Sequence, residues 1–311
     1  EVLVGLDAPD DAAVLNMPPN PITVTTDFFT SPLADHYLVG RIAALNALSD
    51  VWAMGARPVA ALTIAILPEG TPQAQQRVMR DLLQGGVEEL QRADATLVGG
   101  HTIEGDQTSL GFTIVADQGP HPPSTKRGLQ VGDRLVLTKP LGTGALLAAN
   151  MDAACTATWM KGLIRTLLTS NQAAAELALR LGCHAMTDVT GFGLVGHLGE
   201  MLRASECGAE IQLDALPLLE GFTECVQMGY ESTLAPANRT IEGTLVVSEA
   251  AQRRPEYAAL FDPQTNGGLL LGVAAADWPE LARQAGDVML RPIGVVTDTS
   301  QIVVEHRSGA P

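Results

Sequence analysis

Apolar and polar residues alternate between two periods along this chain. The run Ile22-Thr23-Val24-Thr25-Thr26 is rich in β-branched residues and ends at Asp27, which predicts a strand. From Val39 to Met54, apolar residues recur at 42, 45, 48, 51 and 52, a helical spacing, and Gly55 ends it. Val59 to Leu67, bounded by Pro58 and Pro68, predicts a buried strand. Thr71-Pro72 predicts a helix start, and the pattern continues to about Ala93 with a weak point at Gly85-Gly86. Leu97-Val98 predicts a short strand running into Gly99-Gly100-His101, and Leu110 to Ala116 another strand. Residues 117–130 hold prolines and glycines without an apolar period, which predicts an inter-domain linker.

Beyond the linker, 134–138 predicts a strand leading into Lys139-Pro140-Leu141-Gly142-Thr143-Gly144. Asn171 to Leu181 and Leu194 to Ala204 predict helices. Strands are expected at 211–213, 244–248, 269–273 and 302–305, and Asp277-Trp278-Pro279 is expected to cap a last helix. Strands and helices mix in both halves, so two α/β or α+β domains are expected, over 1–117 and 128–311.

Composition sharpens this picture. The chain has 311 residues, 46% of them hydrophobic, which suits a globular protein. Lys plus Arg number 19 against 35 Asp plus Glu, a net charge of −16. That field repels a nucleic-acid backbone, and any nucleotide bound here needs metal ions to offset it. No apolar run reaches the ~18 residues of a membrane span. The four cysteines lack metal-site or dithiol spacing, which predicts buried thiols in a reducing, cytoplasmic setting. No charged segment followed by an apolar one opens the chain, so no signal peptide is expected.

Several clusters carry candidate chemistry. Asp7, Asp10 and Asp11 place carboxylates close together, and hard cations such as Mg²⁺ take oxygen ligands of this kind. A solvated turn explains them equally well. Asp27 ends a strand, where sites are often built, although turn-forming Asp is as common. Asn46 and Asp50 lie four apart and share a helix face, which could equally point into water. Gly99-Gly100 would let backbone N–H groups approach a phosphate, with His101 beside them. Gly191 to Gly196 matches G-x-G-x-x-G, a weak signal alone. Asp188 just before it makes sense if a metal lies between carboxylate and phosphate. The loop 139–144 could meet an anion, and Asp262 to Gly268 reads as structural. No Walker A motif, nucleophile elbow or H-E-x-x-H spacing occurs.

Taken in order, Asp10-Asp11-Ala-Ala-Val, Thr25-Thr-Asp-Phe-Phe, Gly40 to Asp50, Ala53-Met-Gly, Gly99-Gly-His, Leu137 to Gly144, Thr187 to His197 and Asp262 to Gly268 resemble the motif series of the selenophosphate synthetases (selenide, water dikinases). The acidic motifs are shared with the wider aminoimidazole-ribotide synthetase superfamily. The resemblance implies a two-domain fold, with an N-terminal domain that dimerises through its sheet and a C-terminal α/β sandwich. It implies a homodimer with ATP in a cleft between the domains. Asp11, Asp50 and Asp188 would hold Mg²⁺. Asp10 and Asp27 would join the nucleotide network, with Asn46 as a further polar contact. Gly99, Gly100 and His101 would line the nucleotide site from the other subunit. The family reaction converts ATP, selenide and water into selenophosphate, AMP and phosphate.

There are departures from the family pattern. The expected Cys (or selenocysteine) and Lys would lie upstream of Glu1, so no catalytic nucleophile is assigned, and the chain reads as part of a longer parent. Asn266 stands where Ser is usual, and 233–243 lacks an expected glycine pair. Another ATP-dependent superfamily member, or a non-catalytic nucleotide-binding paralogue, is the alternative.

Overall fold

The computed structural model describes residues 2–4, 14–17 and 19–306. The chain divides into two compact units, 1–123 and 124–311.

In the N-terminal unit, β1 (Val2–Val4) pairs antiparallel with β2 (Val14–Leu15). The main sheet has the order β3-β6-β4-β5, built from β3 (Ile22–Thr30), β4 (Arg57–Pro68), β5 (Thr96–Gly105) and β6 (Ser109–Asp117). Helices α1 (His36–Ala53) and α2 (Pro72–Arg92) pack on each other, and α1 lies against the sheet. Asp35 caps α1 by accepting from the Leu38 N–H, and Thr71 caps α2 by accepting from Ala74.

Gly85-Gly86 does not weaken α2. A Cβ on Gly85 would sit 2.1 Å from the Tyr37 carbonyl oxygen, and one on Gly40 would sit 2.0 Å from that of Leu82. These glycines let the two helix backbones touch. Burial along β3 alternates strictly, so Thr25 and Asp27 face α1 while Val24, Thr26 and Phe28 face away. Among the described residues of the unit, no second layer covers that outer face. Val24, Phe28, Leu62, Ile64 and Ile103 are all exposed there, from 42% for Leu62 to 61% for Val24.

In the C-terminal unit, seven strands form one sheet in the order β10-β13-β9-β12-β7-β11-β8. They are β7 (Arg134–Leu137), β8 (Ala185–Asp188), β9 (Gly208–Gln212), β10 (Leu245–Val247), β11 (Leu269–Val273), β12 (Arg291–Thr297) and β13 (Ile302–Glu305). The helices are α3 (Thr143–Met151), α4 (Ala157–Leu167), α5 (Gln172–Arg180), α6 (Gly193–Ser205), α7 (Phe222–Gln227), α8 (Ala235–Asn238), α9 (Glu249–Gln252) and α10 (Trp278–Gln284). Strands β8 and β11 are buried along their whole length, as a strand covered on both faces must be. The edge strand β8 is protected in part by the preceding segment: the Met186 N–H donates to the Thr125 carbonyl. Asp277 occupies the cap position of α10 but makes no side-chain capping bond.

Other sequence expectations change as well. Gly99-Gly100-His101 lies inside β5, not in a turn after it, because parallel pairing with β4 continues to Gly105. Strand β12, ending in Val295-Val296-Thr297, was not anticipated from the pattern. The four cysteines are unpaired, but only Cys225 is fully buried.

Candidate active site

Two separate groups of side chains carry the predicted chemistry, one in each unit. In the N-terminal unit, β3 and α1 bring together the residues that sequence spacing left ambiguous. The Asn46 amide donates to Asp27 Oδ2 at 2.7 Å, and the Thr25 hydroxyl donates to Asp50 Oδ2 at 2.6 Å. Asn46 is only 8% exposed, so the shared helix face looks at the strand and not at water. Burial, and then the charge of Asp50, push the Asp27 carboxyl up from 3.8 to about 6, while the Asn46 hydrogen bond works the other way. Two carboxylates at one spot, presenting oxygen donors alone, suit a hard divalent cation. Among the described residues no three acidic, histidine or cysteine side chains converge on one point. Asp7, Asp10 and Asp11 lie outside the described residues.

Gly99 and His101 are not part of this group. Gly99 pairs with Leu62 and His101 with Ile64, and both partners point away from the helices. Directly paired residues share a sheet face, so Gly99 and His101 belong to the exposed outer face, opposite Asp27. Gly100 turns inward, where a Cβ would sit 2.3 Å from the Thr63 carbonyl oxygen.

In the C-terminal unit, Asp188 is the last residue of β8 and is 5% exposed. The turn after it is held from several sides. The Val189 N–H donates to the Gly268 carbonyl, and the Gln264 N–H to that of Thr190. His197 Nε2 accepts from the Thr190 N–H at 3.1 Å. Burial, helped by the charge of Lys126, pushes His197 down to about 4, so it is a neutral acceptor at pH 7. Gly193 begins α6 at φ +68°, and a Cβ there would crowd the Leu260 carbonyl. The Asn238 amide ties this turn to the segment before Asp262, donating to the Gly191 carbonyl at 2.8 Å and to that of Phe261 at 2.9 Å. The 233–243 stretch, where the expected glycine pair is missing, therefore supports the turn after Asp188.

The segment 262–268 is the clamp between β7 and β8. A Cβ on Gly267 would sit 1.9 Å from the Val189 carbonyl oxygen, and one on Gly268 would sit 2.5 Å from the Lys139 nitrogen. Only glycines let this loop pass between the two strand ends. Lys139 is buried, and its Nζ donates to the Asn266 carbonyl at 2.9 Å. Burial lowers it to about 7, and the nearby Asp188 charge opposes that shift. Asn266 adopts φ +44°, a conformation Asn tolerates, and its amide reaches the Leu167 carbonyl at 2.6 Å.

The loop 139–144 does not present its backbone to an anion. Gln264 Oε1 accepts from the Gly142 and Thr143 N–H groups at 3.0 and 3.1 Å. Asp262 Oδ2 accepts from Gly144 at 3.1 Å. The free N–H groups at the start of α3 are thus already used, which corrects the sequence expectation. Burial raises Asp262 to about 7, against the hydrogen bonds from Gln264 and Gly144. Sequence reasoning assigned no role to His197 or Asn238, and named Lys139 only as part of a loop that could meet an anion. Only their place within or beside glycine-rich motifs marked them.

Comparison with known proteins follows the same division. Residues 9–116 match the family model of the AIR synthase related protein N-terminal domain, and 130–307 match its C-terminal domain. The selenide, water dikinase of Pelobacter propionicus is 38% identical over 281 residues, covering 90% of this chain and 80% of that protein. That of Geobacter metallireducens is 38% identical over 307 residues, covering 97% and 89%. Among solved structures, thiamine-monophosphate kinase from Stenotrophomonas maltophilia superposes with a TM-score of 0.74 at 24% identity, over 98% of this chain and 91% of that one. Hydrogenase maturation protein HypE gives 0.74 at 19% identity, over 97% and 90%. At these identities the two structures speak for the fold.

Proposed function

From a chain that belongs to the AIR synthase related family and has selenide, water dikinases among its relatives, we propose an ATP-dependent phosphotransferase that makes selenophosphate. Its substrates are ATP, selenide and water, and its products selenophosphate, AMP and phosphate. The observation that carries the reading is the Asp27–Asp50 pair, held by Asn46 and Thr25 on a strand and a helix that the family motifs mark.

Asp11, Asp50 and Asp188 are Mg²⁺ ligands in this reading, and Asp10 and Asp27 join the nucleotide network. Bound Mg²⁺ would neutralise the phosphates and stabilise charge as the phosphoryl group transfers. The chain's own part is positioning. Asn46 orients Asp27, Thr25 orients Asp50, and His197, Asn238 and Gly267 fix the turn that follows Asp188. The Leu194 and Val195 N–H groups belong to the first turn of α6, an end of the helix favourable for phosphate, while that of Gly193 donates to the Thr190 carbonyl.

The outer face of the N-terminal sheet supports a homodimer. Six large apolar side chains on one open face, Ile22 with the five named above, are costly to leave in water. Gly99 and His101 share that face, so a partner seated on it would receive them. No described helix is long and apolar enough to cross a membrane. The unpaired cysteines favour a cytoplasmic setting.

The test is ³¹P NMR of ATP, Mg²⁺ and selenide with the full-length protein under anaerobic, reducing conditions. Selenophosphate and AMP should appear together. ATP turnover unaffected by selenide would move the assignment to another substrate of the family.

A further inference from the structure

The turn that follows Asp188 hangs in part on the ring of His197, and one atom of that ring is left unused. A backbone N–H can only donate, so the Thr190 N–H at 3.1 Å fixes Nε2 as an unprotonated acceptor. The proton of the neutral ring therefore sits on Nδ1. Among the described residues this Nδ1 is buried and has no hydrogen-bond partner. A buried donor without an acceptor is costly.

An acceptor stands close. Glu200 lies three residues further along α6, on the same helix face, and its Oε2 is 3.8 Å from Nδ1. That is within ion-pair reach but too long for a hydrogen bond. The same oxygen accepts from Lys126 Nζ at 2.5 Å. A carboxylate has room for several donors, so Glu200 can serve both partners. Its side chain is 30% exposed, which leaves room for the small rotation that closes the gap.

The other states of the ring fit worse. A proton on Nε2 would set two donors, the ring and the Thr190 N–H, against each other. A doubly protonated ring would do the same, and burial and then the Lys126 charge disfavour it, against the charge of Glu200. Lys126 belongs to a segment fastened to the same two elements. The Thr125 carbonyl accepts from the Met186 N–H in β8, and Ser205 Oγ in α6 accepts from the Gly128 and Leu129 N–H groups. A line of polar groups thus runs from Lys126 through Glu200 and His197 to Thr190, two residues from Asp188.

We infer that Glu200 is a positioning residue of the Mg²⁺-ATP site. Its carboxylate takes the Nδ1 proton of His197, locks the ring with Nε2 toward Thr190, and so sets the turn that aims Asp188. Lys126 steadies Glu200 but is not needed for the lock. This role rests on the proposed function, in which Asp188 is a Mg²⁺ ligand.

The test pairs a spectroscopic signature with binding, on the full-length protein at pH 8. Long-range ¹H–¹⁵N NMR of ¹⁵N-histidine-labelled protein, assigned with His197→Gln, reads the tautomer of His197, and calorimetry reads Mg²⁺-ATP affinity. Wild type should show the Nδ1–H tautomer. Glu200→Ala should lose that single tautomer and bind Mg²⁺-ATP about 5- to 10-fold more weakly. Glu200→Gln keeps an acceptor for Nδ1–H, so it should retain the tautomer and bind within about 2-fold of wild type. Lys126→Met should also stay within about 2-fold, because Glu200 then serves His197 alone. A wild-type ring protonated on Nε2, or a Glu200→Ala variant with unchanged tautomer or affinity, would overturn the role of Glu200. So would a loss in Lys126→Met equal to that in Glu200→Ala, which would assign the effect to the ion pair. If Glu200→Ala does not fold, the wild-type tautomer, Glu200→Gln and Lys126→Met decide. Wild type that binds no Mg²⁺-ATP would instead strike the proposed function itself.

Discussion

Replacing Asp27 by Asn should stabilise the N-terminal unit at pH 7.5 when no divalent cation is present. Asp27 is held partly out of water beside Asp50, and its carboxyl rises from 3.8 to about 6. A raised carboxyl favours the folded state below the unfolded value, and that contribution disappears as pH climbs through about 6. The full shift corresponds to about 3 kcal/mol. Asp27 keeps some contact with water, and screening brings the usable figure to ~1–2 kcal/mol. Asn removes the charge and can still meet Asn46. The assay is urea unfolding of wild type and Asp27→Asn between pH 4 and 8, read by pulsed hydrogen exchange at α1 so that the C-terminal unit does not contribute. The variant's advantage should be near zero at pH 4, grow through pH 6 and then level off. Mg²⁺ should raise wild-type stability at pH 7.5 more than that of the variant. A difference that is flat across this range, or a variant less stable at pH 7.5, would refute the account of Asp27 as a charge held at a cost.

Asp188→Asn should weaken Mg²⁺-dependent ATP binding by about 10-fold or more without unfolding the protein, by calorimetry, since it removes ligand charge at a strand end. Gly267→Ala should cost ~1–3 kcal/mol by thermal unfolding and also reduce ATP affinity, because its methyl group would collide with the Val189 carbonyl. Ile64→Glu on the open face of the N-terminal sheet should give a monomer by light scattering at concentrations where wild type is dimeric, and equal masses would remove the face from the dimer interface. Burial pushes the Cys225 thiol up to about 11, so it should resist alkylation at pH 8 until denaturant is added.

The sequence made the sites legible where chemistry and period coincide. Asn46 and Asp50 share a helix face by spacing alone, yet spacing could not say whether that face met water or a strand. The alternation of β3, with Thr25 and Asp27 on the inner side, decides it. Gly99-Gly100-His101 looked like a turn because two glycines usually break a strand. Here pairing with β4 outweighs their poor strand propensity, and Gly100 is required for the close pass by Thr63. The loop 139–144 was misread for a different reason. Its N–H groups are occupied by Asp262 and Gln264, more than a hundred residues later, and local sequence carries no trace of such a partner. His197 and Asn238 escaped for the same cause.

That remote capping of α3 has a consequence for the order in which the C-terminal unit folds. Helices α1, α2, α4 and α9 carry their own capping side chain, but α3 borrows acceptors from positions 118 to 122 residues downstream. The nascent chain therefore emerges with an α3 that cannot be completed. Its first turn closes only after β11 has docked beside β7 and carried the 262–268 segment into place. Loop closure over that span is an entropic cost that local contacts cannot offset, so the step belongs late in folding. The same event brings Gly268 against Lys139 and ties down the turn after Asp188. Premature truncation before residue 262 would thus leave that carboxylate in a chain unable to hold it, which couples completion of synthesis to completion of the site.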